Sequence, residues 1–227
     1  MTPPRFGVSL LGLTLALLIG PLGHPAQASP ASDKARAALE QGDLRTATIE
    51  LKNALQSDPN DADARLLLAR VYLQVGNGED AEKEIRVAID LGADPGLWRL
   101  DLVEALILQG RFDEAMQRLE AGGEVAADDA PRALILRGKA ALGEDRRDEA
   151  RALFLKAQEL DPGSVEAALG VVRVTSSEGD NTATAAALDE LLVRFPDNVD
   201  ALLMRAELYR MEGKPGKANA LFGKVLE

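Results

Sequence analysis

The sequence predicts an all-α fold, a solenoid of about six helix-turn-helix repeats, on three observations. A glycine stands five residues ahead of an alanine in Gly42 to Ala47, Gly76 to Ala81, Gly110 to Ala115 and Gly213 to Ala218, and the glycines at 42, 76 and 110 are 34 residues apart. Units close alike, Leu51 to Pro59 reading L-K-N-A-L-Q-S-D-P and Phe154 to Pro162 reading F-L-K-A-Q-E-L-D-P. Small residues also recur at Ala54, Ala88 and Ala157, where they let helices approach closely. A fixed period of this length marks stacked supersecondary units, none of which buries its apolar face alone.

Taken in chain order, residues 1–28 read as a secretory signal. Arg5 is the positive start, Phe6 to Ile19 form a 14-residue mostly apolar stretch, Gly20 and Pro21 break it, and Ala26-Gln27-Ala28 is a cleavage site ahead of Ser29. Fourteen helical residues span about 21 Å, short of the roughly 30 Å hydrocarbon core, so removal is expected rather than retention as an anchor. The solenoid is expected over 29–227, with repeats near 29–61, 62–95, 96–130, 131–164, 165–198 and 199–227. First helices are expected near 31–41, 62–75, 96–109, 131–143, 165–178 and 199–212, each followed by its partner after a glycine turn, with proline stopping the second helix. Between Gly110 and Gly179 the interval is 69, because Asp145 holds the intervening glycine slot, with Ala150 five residues on, and one residue is inserted in the 120s loop. Thr184 replaces the alanine of the fifth unit. Unit three departs most: Gly122 sits in its second small slot, and Gly123 to Asp129 lacks the Asp-Pro ending, so a looser or bent link is expected there. Unit six reaches Glu227 before such an ending, so its open end is expected either to continue in a longer chain or to pack on a partner.

Composition excludes several kinds of chemistry. The chain has 37 acidic against 26 basic residues, a net charge of −11, and loss of Arg5 makes the mature form one unit more negative. Phosphate backbones require clustered Lys and Arg, so nucleic acid is not an expected partner. Aromatic residues, at 4%, are few for stacking bases or sugars. There is no cysteine, and the one histidine, His24, lies in the signal. The mature chain therefore builds no disulfide, thiolate zinc site, Ser/His/Asp triad or Cys/His pair. No catalytic residue, metal ligand or cofactor is expected, and no stable membrane insertion after signal cleavage.

Some stretches imitate chemistry. Val71 to Ala81 contains G-x-G-x-x-A after a strand-like run, but the same slot elsewhere is a helix-to-helix turn and no βαβ pattern surrounds it. Asp58 to Asp63 clusters acids as a calcium loop does, yet lacks the sixth-position glycine and twelfth-position Glu. The pairs Asp113/Glu114 and Asp148/Glu149 open second helices, where negative charge suits the helix dipole better than it argues acid–base catalysis. Trp98 is expected to pack in the core.

The glycine turns, the small residues and the closing prolines together resemble the tetratricopeptide repeat across essentially all of residues 30–227. The resemblance implies a right-handed superhelix whose first helices line a concave groove. It also implies that the fifth and ninth residues of each unit point into that groove. The fifth are Ser32, Leu66, Leu100, Ile135, Leu169 and Leu203; the ninth are Arg36, Arg70, Glu104, Lys139, Arg173 and Glu207. An apolar strip flanked by four cations in an acidic chain suits a protein segment with apolar anchors and some acidic groups, and makes Leu66, Arg70, Leu100, Ile135, Lys139, Leu169, Arg173 and Leu203 the candidate partner-binding residues. The alternative is that fifth positions pack against neighbouring first helices while the cations are solvated. The Lys-at-five, Asn-at-nine pattern of chaperone-binding members is not present.

Gly42 to Gly76, continuing through Asp80-Ala81-Glu82-Lys83-Glu84-Ile85, and Leu106 to Phe112 further resemble the N-terminal part of the exported repeat proteins of PEP-CTERM/exosortase systems, the PrsT type of Gram-negative bacteria. That implies a non-enzymatic scaffold in the periplasm or envelope, tied to PEP-CTERM sorting or exopolysaccharide assembly. The alternative is a structural subunit of an envelope export complex, using its convex face or C-terminal end.

Overall fold

A computed structural model of the chain describes residues 30–122 and 125–226; the secretory signal read over 1–28 lies outside them, as do Ser29, Gly123, Glu124 and Glu227. The described residues form twelve α-helices in six pairs: α1 (Pro30–Glu40) with α2 (Leu44–Ser57), α3 (Ala62–Gln74) with α4 (Gly78–Asp90), α5 (Pro95–Leu108) with α6 (Phe112–Ala121), α7 (Ala130–Gly143) with α8 (Arg147–Leu160), α9 (Val165–Ser177) with α10 (Asn181–Arg194) and α11 (Val199–Met211) with α12 (Pro215–Val225). One 3₁₀ turn, Ala127–Asp129, precedes α7 in the divergent third link. Among the described residues no helix is long and apolar enough to cross a membrane.

The repeated glycine is explained by how the first helices end. After α1, the Gly42 amide donates to the Leu39 carbonyl at 3.0 Å and the Asp43 amide to Ala38 at 2.9 Å. The same pair of bonds closes α3, α5, α7 and α11. This termination needs one left-handed residue. The glycines at 42, 76, 110, 179 and 213 supply it at φ between +71° and +79°, and Asp145 supplies it at +63°. The following residue opens the second helix. Asp43, Asn77 and Asp180 accept first-turn amides, each such cap contributing about 1 kcal/mol. Arg111 and Arg146 make no side-chain cap and instead reach forward to Glu114 and Glu149.

The chemistry-like stretches resolve into these turns. Gly76 to Ala81 is the α3–α4 turn and the first turn of α4, and Gly78 packs so tightly on α5 that a β-carbon there would meet the Ala105 carbonyl at 2.5 Å. Asp61 caps α3 through the Ala64 amide, and Asp58 accepts from the Asn60 amide within the preceding turn. Trp98 packs partly buried on the α3–α5 core and donates through Nε1 to the Ala93 carbonyl at 3.1 Å.

The alanines at 47, 81, 115, 150 and 218 and at 54, 88 and 157 are all buried where helices cross. Larger side chains fill the space they leave: Leu51, Ile85, Leu119, Phe154 and Leu188 project from successive second helices into the core. Phe154 is the largest fully buried one, seated against Gly138 of α7 and Gly170 of α9. Successive first helices touch along the stack while successive second helices stand apart, so the solenoid curves toward its first helices and makes that face concave. The contact thins between α9 and α11.

Candidate functional site

On the concave face the two sets of candidate residues behave differently. Leu66, Leu100, Ile135 and Leu169 are buried, each at 7% exposure or less, while Leu203 of α11 is 40% exposed. The apolar strip read from the fifth positions is therefore mostly the seam between stacked first helices. The candidate cations Arg70, Lys139 and Arg173 are engaged in a ladder of ion pairs between neighbouring repeats. Arg70 donates through Nε to Asp101 at 2.8 Å and through Nη2 to the Leu97 carbonyl at 3.1 Å. Lys139 lies 2.5 Å from Glu166, and Arg173 lies 3.5 Å from Asp200.

The ladder joins one repeat to the next. Asp101, 1% exposed, receives Arg70 of α3 on one oxygen and Arg132 of α7 on the other at 2.7 Å. Arg132 also binds Glu104 at 2.8 Å, and Glu104 faces Lys139 at 3.9 Å. An unbroken chain of alternating charge thus runs from α3 to α9. Burial works against the charge on Arg132, and Asp101 and Glu104 outweigh it, holding its pKa above the ordinary value. Asp101, Arg132, Glu166 and Asp200 were not among the sequence candidates. A signal existed for two of them: a cation at the ninth position followed 27 residues later by an acid, in Lys139/Glu166 and Arg173/Asp200.

Apolar surface reaches the groove at another register. A cavity of about 320 Å³ opens between α5, α7 and α9, with Ile107, Leu108, Phe112 and Leu142 as walls and Glu104, Lys139, Glu166 and Arg173 around its mouth. Leu108 remains 44% exposed there. The glycines at 143 and 170 thin its walls, because β-carbons at those positions would overlap the rings of Phe112 and Phe154. The mouth charges cancel, so the cavity offers an apolar socket with a polar rim, the arrangement that seats one large apolar side chain of a partner. The acidic pairs that open α6 and α8 lie away from it; Glu114 is held by Arg111 and Arg118, and Glu149 by Arg146.

A right-handed stack of helix pairs with a grooved inner face defines a repeat scaffold. Models described as tetratricopeptide repeat match residues 38–100, 88–140, 131–164 and 177–226. The chain belongs to the tetratricopeptide-repeat family. It is 29% identical over 182 residues to human DnaJ homolog subfamily C member 3, covering 79% of this chain and 32% of that protein, so the chain spans about a third of that relative's length. It is 31% identical over 99 residues to an uncharacterized protein of Haemophilus influenzae, covering 44% of this chain and 55% of the relative. Among solved structures, pilF of Pseudomonas aeruginosa superposes with a TM-score of 0.56 at 23% identity over 84% of this chain and 86% of that one. A monomeric IFIT1 mutant gives 0.67 at 17% identity over 86% and 49%. These likenesses are of fold. Tetratricopeptide repeats bind protein or peptide partners.

Proposed function

We propose that this chain is a non-enzymatic scaffold of the periplasm or cell envelope, exported through its N-terminal signal, that captures a protein segment in the concave groove. The link to PEP-CTERM sorting or exopolysaccharide assembly rests on the sequence resemblance over Gly42 to Ile85. The observation that carries segment capture is the apolar cavity between α5, α7 and α9, whose charged rim is neutralised by its own neighbours. A socket of this kind gains from burying an apolar side chain and leaves no rim charge unpaired when it fills.

A photo-crosslinking residue placed at Leu108 in the cavity, with an exposed control at Lys156 on α8, tests the reading in the native envelope. One dominant protein adduct at Leu108 and none at Lys156 is the expected result. Adducts at Lys156 alone refute groove capture. They would favour a structural subunit docked by its convex face, for which the exposed Leu160 and Val193 of α8 and α10 supply apolar surface.

A further inference from the structure

Three cavities strung along the first helices narrow the chemistry of the segment. The first, about 440 Å³, lies between α1, α3 and α5 and is lined by Arg36, Asp63, Leu66, Leu67, Arg70 and Leu97. It shares Arg70 with a second, about 270 Å³, around Asp101 and Arg132. The second shares Glu104 with the apolar cavity between α5, α7 and α9. The groove therefore reads mixed cationic and apolar, then ionic, then apolar along its length.

Hydrogen-bonding capacity is left over on the donor side. Asp101 has both oxygens engaged by arginine, and Glu104 is shared by Arg132 and Lys139. Among the described residues Arg36 is exposed and has no ion-pair partner, while Arg70 is 44% exposed and bonds only through Nε and Nη2. Asp63 is the one opposing charge at the first cavity, and it is not within ion-pair distance of Arg36. A guanidinium with unused donors beside Leu97, which is 49% exposed at the same cavity, complements a carboxylate next to an apolar side chain. The outer cavities are centred two first helices apart, about 16–20 Å at the usual 8–10 Å between packed axes. An extended chain covers that span in about five or six residues at roughly 3.3 Å each.

We propose that the groove binds an extended protein segment with a side-chain carboxylate and an adjacent apolar anchor at Arg36 and Arg70, and a second apolar anchor about five or six residues away between α5, α7 and α9. The proposal rests on the groove reading and adds the charge and spacing of the partner. Its test is selection of a random dodecapeptide display library on the full chain. Fluorescence anisotropy of the selected peptide, made synthetically and labelled, then compares the chain with its Arg36→Glu, Asp63→Asn and Leu108→Asp variants.

The expected consensus pairs Asp or Glu with a large apolar residue and places a second apolar residue about five or six positions off. Arg36→Glu weakens binding about tenfold or more, because one charge-assisted contact becomes a repulsion. Asp63→Asn tightens binding, because it removes the opposing charge. All three positions are on the surface, and unchanged far-ultraviolet circular dichroism confirms that each variant is folded. Peptides lacking an acidic residue, or affinity unmoved by Arg36→Glu yet lost in Leu108→Asp, overturn this proposal and leave groove capture standing. Failure to select any peptide, or binding indifferent to Leu108→Asp, overturns both.

Discussion

Replacing Gly138 with alanine puts the packing of the fourth and fifth repeats to a direct test. A β-carbon at 138 would sit 2.8 Å from Cε1, 2.9 Å from Cζ and 3.0 Å from Cδ1 of Phe154. Carbon contacts are favourable near 3.5–4.0 Å, so the ring or the helix must give by about 0.5–1 Å. The ring is 1% exposed and also abuts Gly170 of α9, so yielding means shifting a helix. Overpacking of this kind costs about 1–3 kcal/mol. Alanine meanwhile gains about 1 kcal/mol of helix propensity over glycine. With the overlap spread over three ring atoms, the net expectation is a loss of about 1–2 kcal/mol. Phe154→Leu alone is also destabilising, by about 1.5 kcal/mol, because it leaves a void. The two together should be less destabilising than their sum by about 1 kcal/mol or more, since leucine vacates the space the methyl needs. Urea unfolding followed by both circular dichroism and Trp98 fluorescence gives the four corners of this cycle, with the slopes compared to check that the transition is unchanged. A stabilised Gly138→Ala protein, or simple additivity in the double variant, would refute the claim that glycine is there to admit the ring.

Other perturbations separate the remaining forces. Asp145→Gly should raise the urea midpoint by about 0.5–1 kcal/mol equivalent, because it removes the left-handed cost at φ +63° and loses only an exposed ion pair to Arg147. Asp101→Ala should cost about 2 kcal/mol, less than the 3–5 of a fully enclosed pair because Arg70 and Arg132 still reach solvent, and thermal unfolding at two salt concentrations measures it. Glu82 of α4 is almost buried; burial raises its pKa, but Gln109, Arg86 and Arg111 outweigh that and hold it below the ordinary 4.5. Its lowered pKa therefore contributes stability that is present above about pH 4.5 and fades as pH falls through the folded value. Glu82→Gln should accordingly be destabilised at pH 7, by about 1.5–3 kcal/mol for the lost charged hydrogen bonds, and approach the parent on acidification. Urea midpoints of both proteins from pH 7 to pH 3 check the sign.

The period of 34 was legible because each unit solves the same local problem with the same residue types: glycine or Asp145 where φ must be positive, alanine where helices cross, proline where a helix stops. Those requirements are short-range, and the sequence shows them directly. The groove was legible only in part. The family positions name the first-helix face, but whether Leu66 or Leu108 meets solvent depends on how far one first helix slides over the next. That is a tertiary quantity with no short-range signature. Phe154 and its two glycines are separated by 16 residues on each side, and nothing local ties them together. The 27-residue cation-to-acid spacing marks Lys139/Glu166 and Arg173/Asp200 but equally the unpaired Arg36/Asp63, and Asp101 between two arginines uses a spacing of 31 on both sides, so the ladder was not legible from spacing alone.

The shared carboxylate of Asp101 also sets how the molecule should respond to a mechanical load. Repeat arrays usually lengthen one unit at a time, because each unit touches only its neighbours. Here one buried carboxylate on α5 holds both α3 and α7, so repeat three is tied to its two neighbours through a single shared side chain. Between α9 and α11 the contact is thin, and the ladder's span there is the single exposed Arg173–Asp200 pair at 3.5 Å. Stretched from its ends, the chain is expected to behave as a spring of unequal coils: the last repeat, tied back mainly through α10 by packing and the Arg205–Asp189 pair, should slip at lower force than the middle three.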